Sequence, residues 1–470
     1  MGCRLNQIES EAAAEAFSGD GFMPDLSQIS SETAEDAAVP LCIINTCTVT
    51  GKAEQKARRL IRLALRKYPR SAVLVTGCYA QLRADEIAAI DGRISVLGGQ
   101  IKSRIADVPQ LLSECLAAAE WEPESFSSLL TSRISSPAQR RPGIPENSFR
   151  LAATSFAAHS RASLKIQDGC NSSCSYCAIH AARGKSTSLD VVSAVERVRE
   201  LEAAGNVEVV LTSVNIAQYR GAYDGGTIGF SGLLRILLDS TERIKFRISS
   251  IYPEVVDDEF CSVIADGRVR PHFHISVQSG SDSVLDAMNR TYRASDVSLA
   301  CGKLAAAKER PFLACDIITG FPGETEEDFR RTMELCRDSG FVWVHAFPFS
   351  ARPGTPAALM RNRIPQSVAG RRAAELSVLS VRKKTEYIES FIGIPLDAVL
   401  ENVRRPSVLA GDKFVCHAVT ENFIHCEITA SAPAAFSSGH GVAVRVVIRR
   451  VLEDRIAKGG EIEAVAEFCP

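Results

Sequence analysis

Six short runs rich in β-branched and aromatic residues recur between residues 163 and 349, and no other feature narrows the fold as much. They are "SLKIQDG" from Ser163, "EVVLTSVN" from Glu208, "KFRISSI" from Lys245, "HFHISVQ" from His272, "LACDIITGF" from Leu313 and "VWVHAFPF" from Val342. Their starts lie 27 to 45 residues apart. Most of the gaps carry an amphipathic helical pattern, such as "VVSAVERVRELEAAG", which Gly205 closes. Alternation of this kind predicts parallel strands with helices outside them. Six units predict a partial (β/α)6 barrel of the TIM type, with its chemistry at the carboxyl ends of the strands.

The flanking regions read differently. Residues 1–119 alternate buried strands, "LCIINT", "AVLVTG" and "ISVLGG", with helical stretches at Gly51–Lys67 and Gln81–Ala89. They predict an open, flavodoxin-like parallel sheet. From 120 to 160 the pattern dissolves into Ser, Pro, Arg and Gly, and reads as a linker. The barrel is expected over 161–392, including an amphipathic stretch from Gln366 to Phe391. Short strands without helices over 393–455 predict a small β-barrel, followed by a tail, "GGEIEAVAEFCP", within 456–470. The fold class is therefore multidomain α/β.

Fifteen cysteines is an odd number and a large one. No run is apolar and long enough to span a membrane, and the N-terminus lacks the charged-then-apolar order of a signal peptide. "MGCRLN" has Asn6 where a myristoylation signal needs Ser or Thr. A cytoplasmic location follows as the expectation, and there the cysteines are not a disulfide framework. Cys170, Cys174 and Cys177 follow the first barrel strand directly. Three thiolates can hold three irons of a [4Fe–4S] cube and leave the fourth open for a ligand. The competing reading is a Cys3His zinc site completed by His180. Cys47 and Cys78 each follow a buried strand of the N-terminal sheet, and ligands of open sheets gather beyond such strand ends. With Cys3 they are expected to converge as a second triad. Cys42 lies within a strand and is expected in the core. Cys115, Cys261, Cys301, Cys315, Cys336, Cys416, Cys426 and Cys469 show no comparable arrangement.

"GCRLNQIES", "NTCTVT", "VTGCYAQ", "IQDGCNSSCSYC", "LTSVNIAQY", "RISSIYPEVVD", "SVQSGSDSVLDAMNRTY" and "DIITGFPGETEEDF" occur in the order seen in the radical S-adenosylmethionine (SAM) methylthiotransferases. The chain resembles that family over nearly its whole length. "NQIES", "NTCTVT" and "GCYAQ" look most like the branch that methylthiolates C2 of N6-threonylcarbamoyladenosine in tRNA, next to the anticodon. The C-terminal barrel resembles a TRAM RNA-binding module, "TENFIHCEI" being its clearest segment. The resemblance implies two [4Fe–4S] clusters and SAM, with Cys170, Cys174 and Cys177 holding one cluster and Cys3, Cys47 and Cys78 the other. It implies a 5′-deoxyadenosyl radical acting at C2, sulfur from the second cluster and a methyl group from a second SAM. It also implies an external one-electron donor, flavodoxin-like or similar, and the tRNA anticodon stem-loop as partner. Two departures stand out. The family has a strand before its first cysteine, which leaves a misassigned start or a truncated chain, and a loosely held second cluster. His180-Ala181 stands where Pro-Tyr is usual.

Tyr176 fits the aromatic that packs near the SAM adenine. Polar residues at later strand ends are candidates to bind SAM: Ser213, Asn215, Arg247, Ser249, Gln278, Ser279 and Asp316. Capping and turn roles are the alternative for each. "GFPGET" reads as a turn whose free backbone donors bind polar groups, or as a plain turn. "AFPFSARPGTPAA" (Ala346–Ala358) reads as a loop closing the barrel mouth or as a structural turn. The formal net charge is only −2, so nucleic acid has to meet a local basic patch. "GKAEQKARRLIRLALRKYPR", with eight Lys or Arg against one Glu, is such a patch or a solvated helix face. Phe423 is a candidate to stack on a base or to fill a core. The alternative functions are methylthiolation of a ribosomal-protein aspartate and a non-catalytic, zinc-bound RNA-binding protein.

Overall fold

A computed structural model describes residues 3–48, 50–117, 121–134, 147–154, 156, 160–404, 414–430 and 441–469. Three strands, β1 (Leu41–Thr46), β2 (Ala72–Gly77) and β3 (Ile94–Gly98), form a parallel sheet in that order. Side chains alternate between faces along a strand. Ala72 and Leu74 of β2 therefore pack with Phe17 of helix α1 (Arg4–Gly19), while Val73 and Val75 pack with Ala57, Ile61 and Ala64 of helix α2 (Gly51–Lys67). The Thr50 hydroxyl caps α2 by accepting from the Ala53 N–H. Cys42 is buried on the α2 side, as expected. The helix expected over Gln81–Ala89 appears as two short pieces, Cys78–Leu82 and Ala84–Ala88, broken at Arg83.

Part of the expected linker belongs to this domain. Pro123–Ile134 is a helix with Pro in its first turn, and Phe126, Leu130 and Ile134 enter the N-terminal core. Those three sit at four-residue spacing, an apolar stripe interleaved with serines. Leu151 also joins this core and Phe156 that of the barrel, while residues 120, 135–146, 155 and 157–159 of the linker reading lie outside the described residues.

All six barrel strands appear: β4 (Ala162–Lys165), β5 (Glu208–Thr212), β6 (Lys245–Ile248), β7 (His272–Gln278), β8 (Phe312–Thr319) and β9 (Trp343–Pro348). Pairing is parallel within β4–β5–β6 and β7–β8–β9. Parallel bridges Phe246–Val269 and Ile251–Ile275 carry the wall from β6 to β7. The strands thus follow chain order, which places every strand's carboxyl end on one face.

The C-terminal module is a closed barrel of β10 (Pro395–Arg404), β11 (Phe414–Thr420), β12 (His425–Ala430), β13 (Ala443–Val451) and β14 (Ala464–Phe468), in the order β10-β11-β12-β14-β13. The expected tail is therefore corrected: β14 pairs with both β12 and β13 and closes the barrel. This module seals the amino end of the larger barrel. Glu208, fully buried, takes Arg247 at 2.7 and 3.1 Å and Arg270 at 2.8 Å, with Arg161 at 3.8 Å. Arg247 also donates to the Thr420 carbonyl at 3.2 Å, and Arg161 to Glu401 at 2.8 Å. The ring of half-buried Phe423 packs on His272, centroids 4.2 Å apart, and faces Arg161 and Arg247, so it takes part in this seam.

Two outcomes test this architecture. Leu130→Ala empties a buried site and is expected to cost about 2–5 kcal/mol. Denaturant unfolding read by Trp121 emission, with Trp343 replaced by Phe, measures it, and a mere linker shows no change. Burial pushes the Glu208 carboxyl up, but Arg247, Arg270 and Arg161 more than reverse this and hold it at about 2. The folded value lies below the ordinary 4.5, so the seam's stability is full above that pH and is lost as pH falls toward 2. An acid titration of Trp343 emission checks it, and Glu208→Gln weakens the dependence, the rest coming from Glu401, also held at about 2, against its own burial, by His425 and Arg161.

Candidate active site between two cysteine triads

After β4 the chain makes a two-residue ribbon, Gln167–Asp168 against Thr187–Ser188, and turns at Gly169. Gly169 has φ +71°, and a Cβ there would lie 2.0 Å from the Lys185 carbonyl oxygen. Only glycine admits this turn. The Gln167 amide holds the loop that follows. It donates to the Gly169 carbonyl at 2.8 Å, and its oxygen accepts from the Val214 and Asn215 N–H groups at 3.0 and 2.9 Å. Cys170, Cys174 and Cys177 hang from this loop at the carboxyl end of β4. The Cys170 sulfur accepts from the Ser172 N–H at 3.4 Å and from Asn215 Nδ2 at 3.8 Å. Burial pushes the Cys174 thiol up and the Cys177 thiol up to about 11, so a metal taken up here displaces protons.

The cysteines of the second set come from three distant places in the chain. Thr46 and Gly77 pair at the ends of β1 and β2, which sets Cys47 beside Cys78. Gly77 has φ +101°, and a Cβ would lie 2.2 Å from the Thr46 carbonyl oxygen. Cys3, at the start of α1, bonds through its thiol to Cys47. That bond, with the charge of Arg183 nearby, lowers the Cys3 thiol to about 6 against the desolvation it meets there, although the residue as a whole is exposed. Asn6 seats α1 on the strand end: its amide donates to the Thr46 carbonyl at 2.9 Å, and Asn45 Nδ2 donates to the Asn6 carbonyl at 2.9 Å.

One buried ionic network joins the triads, and the sequence reading missed it. Glu9 of α1 pairs with Lys102, with Lys165 at 3.2 Å and with Arg183 at 3.0 Å. Asp168, two residues before Cys170, pairs with Lys165 at 3.1 Å and Arg183 at 2.9 Å. Arg183 also donates to Asn6 Oδ1 at 3.0 Å. Its only signal in sequence is the set of charges in "NQIES", "QIKSR", "LKIQDGC" and "AARG". The loop Ala346–Ala358 joins the same two domains: Arg352 donates to Glu54 of α2 and to Thr48 Oγ1 at 3.2 Å, and the Ala357 N–H donates to the Ser175 carbonyl at 2.8 Å.

The remaining candidates divide. Tyr176 lies under the Arg290 guanidinium, and its hydroxyl accepts from it. Asn215 touches Cys170. The hydroxyls of Ser213 and Ser249, beyond the ends of β5 and β6, are buried and have no hydrogen-bond partner among the described residues. Such atoms are what a polar ligand would satisfy. Gln278 closes β7 in the left-handed region, φ +71°. Asp316 pairs with His274 Nε2 at 3.0 Å; burial raises its carboxyl, and this bond and nearby positive charge bring it below the ordinary value. Two candidates are corrected. Arg247 is engaged by Glu208 and Thr420 at the opposite end of the barrel. The Ser279 hydroxyl accepts from the Ser281 N–H at 3.2 Å and meets Thr332 Oγ1 at 3.3 Å, under the helix Glu326–Asp338. The "GFPGET" donors are likewise internal, the Gly320 N–H going to Glu324 at 2.7 Å. His180 is exposed, and among the described residues no group of three or more His, Cys, Asp or Glu side chains is placed to hold one metal ion. A cube asks for another geometry, because each thiolate binds a different iron.

Comparison with known proteins matches this layout. The radical SAM superfamily model covers residues 164–336, and the model of uncharacterized protein family UPF0004 covers 1–99. A Treponema pallidum protein named threonylcarbamoyladenosine tRNA methylthiotransferase is 41% identical, over 95% of this chain and 97% of its own. Its namesake from Bacillus subtilis is 34% identical, over 85% and 83%. The chain belongs to the radical SAM methylthiotransferase family. A tRNA-2-methylthio-N(6)-dimethylallyladenosine synthase from Jannaschia is 30% identical, over 89% and 86%. Among solved structures, the radical SAM methyltransferase TsrM from Kitasatospora setae shares the fold, with TM-score 0.51, 16% identity and coverage of 75% and 74%. SAM and [4Fe–4S] clusters are the cofactors of this family, and the two thiol triads, with orphaned hydroxyls beside one of them, suit them.

Glu9→Gln leaves Lys165 and Arg183 to Asp168, and Lys102 to the Asn45 side-chain oxygen alone. Breaking a buried pair from one side costs about 3–5 kcal/mol. The expected outcome is faster amide exchange in both α1 and residues 167–170, read by hydrogen–deuterium exchange, with the C-terminal barrel unchanged.

Proposed function

We propose that this member of the family adds a methylthio group to C2 of N6-threonylcarbamoyladenosine next to the anticodon of tRNA. The observation that carries the reading is the 41% identity to a threonylcarbamoyladenosine tRNA methylthiotransferase across 95% of the chain. Cys170, Cys174 and Cys177 hold the cluster that binds SAM, and Cys3, Cys47 and Cys78 hold the auxiliary cluster. Bound there, these groups supply one-electron chemistry, sulfur and a methyl group. The chain's own part is to bind and orient. Asn215 and the Ser172 N–H donate to the Cys170 sulfur, which steadies a thiolate and tunes its cluster. Ser213, Ser249, Gln278 and Asp316 offer polar atoms to SAM, and Tyr176 offers a ring face to its adenine. Glu9, Asp168 and Arg183 hold the two triads in register.

The tRNA meets α2, whose Lys52, Lys56, Arg59, Arg62 and Arg66 are exposed on the element that follows Cys47. Phosphate contacts of this kind position a loop without reading its sequence. An unpaired anticodon-loop base is reachable between two domains in a way a stacked, paired base is not. An external one-electron donor of flavodoxin type and a cytoplasmic setting complete the reading.

Mass spectrometry of tRNA nucleosides from cells lacking the gene tests it. The expected outcome is loss of the methylthio form of threonylcarbamoyladenosine with its precursor accumulating. Loss of a methylthio-dimethylallyl nucleoside instead, or an unchanged nucleoside profile, rejects the assignment.

A further inference from the structure

Arg290 is a half-buried cation with no carboxylate bonded to it. Its Nε is shielded from solvent and has no hydrogen-bond partner, and among the described residues no Asp or Glu oxygen lies within ion-pair distance of it. Three tyrosines surround it instead. The guanidinium carbon lies 5.6 Å from the ring centroid of Tyr176, 5.2 Å from Tyr252 and 5.5 Å from Tyr292. Neutral rings attract a cation only weakly compared with the cost of removing it from water. Its charge reaches Asp316, whose carboxylate is already paired with His274, so the guanidinium has no bonded counter-charge of its own.

The surroundings point to where that charge comes from. The segment carrying Arg290 clamps the cysteine loop at several points. Asn289 Nδ2 donates to the Ser173 carbonyl at 3.0 Å and to Ser173 Oγ at 2.8 Å. The Ser175 N–H donates to the Met288 carbonyl at 3.0 Å, and Ser175 Oγ to the Ala287 carbonyl at 2.7 Å. Arg290 itself donates to the Tyr176 hydroxyl, between Cys174 and Cys177. Tyr292 is tied to the end of β7 through the Val277 carbonyl at 3.0 Å. The cation therefore stands against the cysteine loop, with its position set from both sides. A [4Fe–4S] cube carried by three thiolates is net negative, and it gains a further negative charge when it accepts an electron.

We propose that Arg290 is the charge partner of the cluster held by Cys170, Cys174 and Cys177, and that it raises that cluster's reduction potential. It acts through the cluster, as a positioning residue. A fixed positive charge in a poorly solvated site favours the reduced, more negative form. The inference rests on the assignment of these three cysteines as ligands.

The test uses the full chain with Cys3, Cys47 and Cys78 each changed to Ala, so that one cluster remains. After anaerobic loading, iron and sulfide are measured first. Electron paramagnetic resonance then follows a redox titration, and equilibrium dialysis measures SAM binding. Arg290→Gln and Arg290→Met are expected to lower the reduced-to-oxidised ratio at fixed potential at least tenfold, about 59 mV for one electron. Arg290→Lys, which keeps the charge, is expected to stay near the parent. Arg290→Met, close in length and volume, keeps the comparison if the glutamine variant fails to fold. An unchanged midpoint in both neutral variants overturns the proposal, as does an equal shift in the lysine variant. So does weakened SAM binding at a constant midpoint, which makes the guanidinium a cofactor contact. A parent chain that takes up no iron overturns the ligand assignment itself.

Discussion

Two carboxylates and three cations, all out of solvent, decide how the N-terminal sheet sits on the barrel. Glu9 and Asp168 share Lys165 and Arg183, and Lys102 completes the set from the N-terminal side. Buried charges are costly unless every one is matched, so such a cluster tolerates few arrangements. A shifted docking would strand at least one of the five. Both triads are attached to this cluster at short range, Cys3 through Asn6 and Cys170 through Asp168 and Gly169. Charge matching thus fixes how the elements that carry the two triads meet.

A second charged group works at the other end of the barrel. Glu208 gathers Arg161, Arg247 and Arg270, and the C-terminal module covers them with Phe423 and the Thr420 carbonyl. With that end shut, a ligand's way into the barrel is from the face that carries the cysteines. The RNA-binding character read from the C-terminal sequence and the sealing role are compatible, because the strands that seal use one part of the small barrel only.

Much of this was legible in the sequence. The six barrel strands stood out because each is a short apolar run flanked by helical periodicity. Cys47 and Cys78 could be placed together because a parallel sheet brings strand ends together whatever their separation in the chain. Other features were hidden for physical reasons. Phe126, Leu130 and Ile134 form a clear stripe, but serines between them mimic a linker's composition. Strand β14 lies in a segment whose glycines suggest an end, although "AVAEF" alternates as a half-buried strand does. Arg247 and Ser279 failed as ligand contacts for a common reason. Sequence marks a residue as near a strand, but whether its side chain meets a ligand, a neighbouring helix or a plug at the far end depends on packing. The Glu9–Arg183 network was invisible because its members come from separate stretches that look like ordinary surface charge.

The loop Ala346–Ala358 adds a consequence. It reaches Ser175 on one side and Thr48 and Glu54 on the other, apart from the Glu9 network, while Gln100 meets the Ala181 carbonyl at 3.0 Å as a third fastening. A structure braced at three separate places behaves as a truss rather than a jaw. The spacing between the two cysteine triads is then set when the polypeptide folds, not by a later closing of one domain on the other.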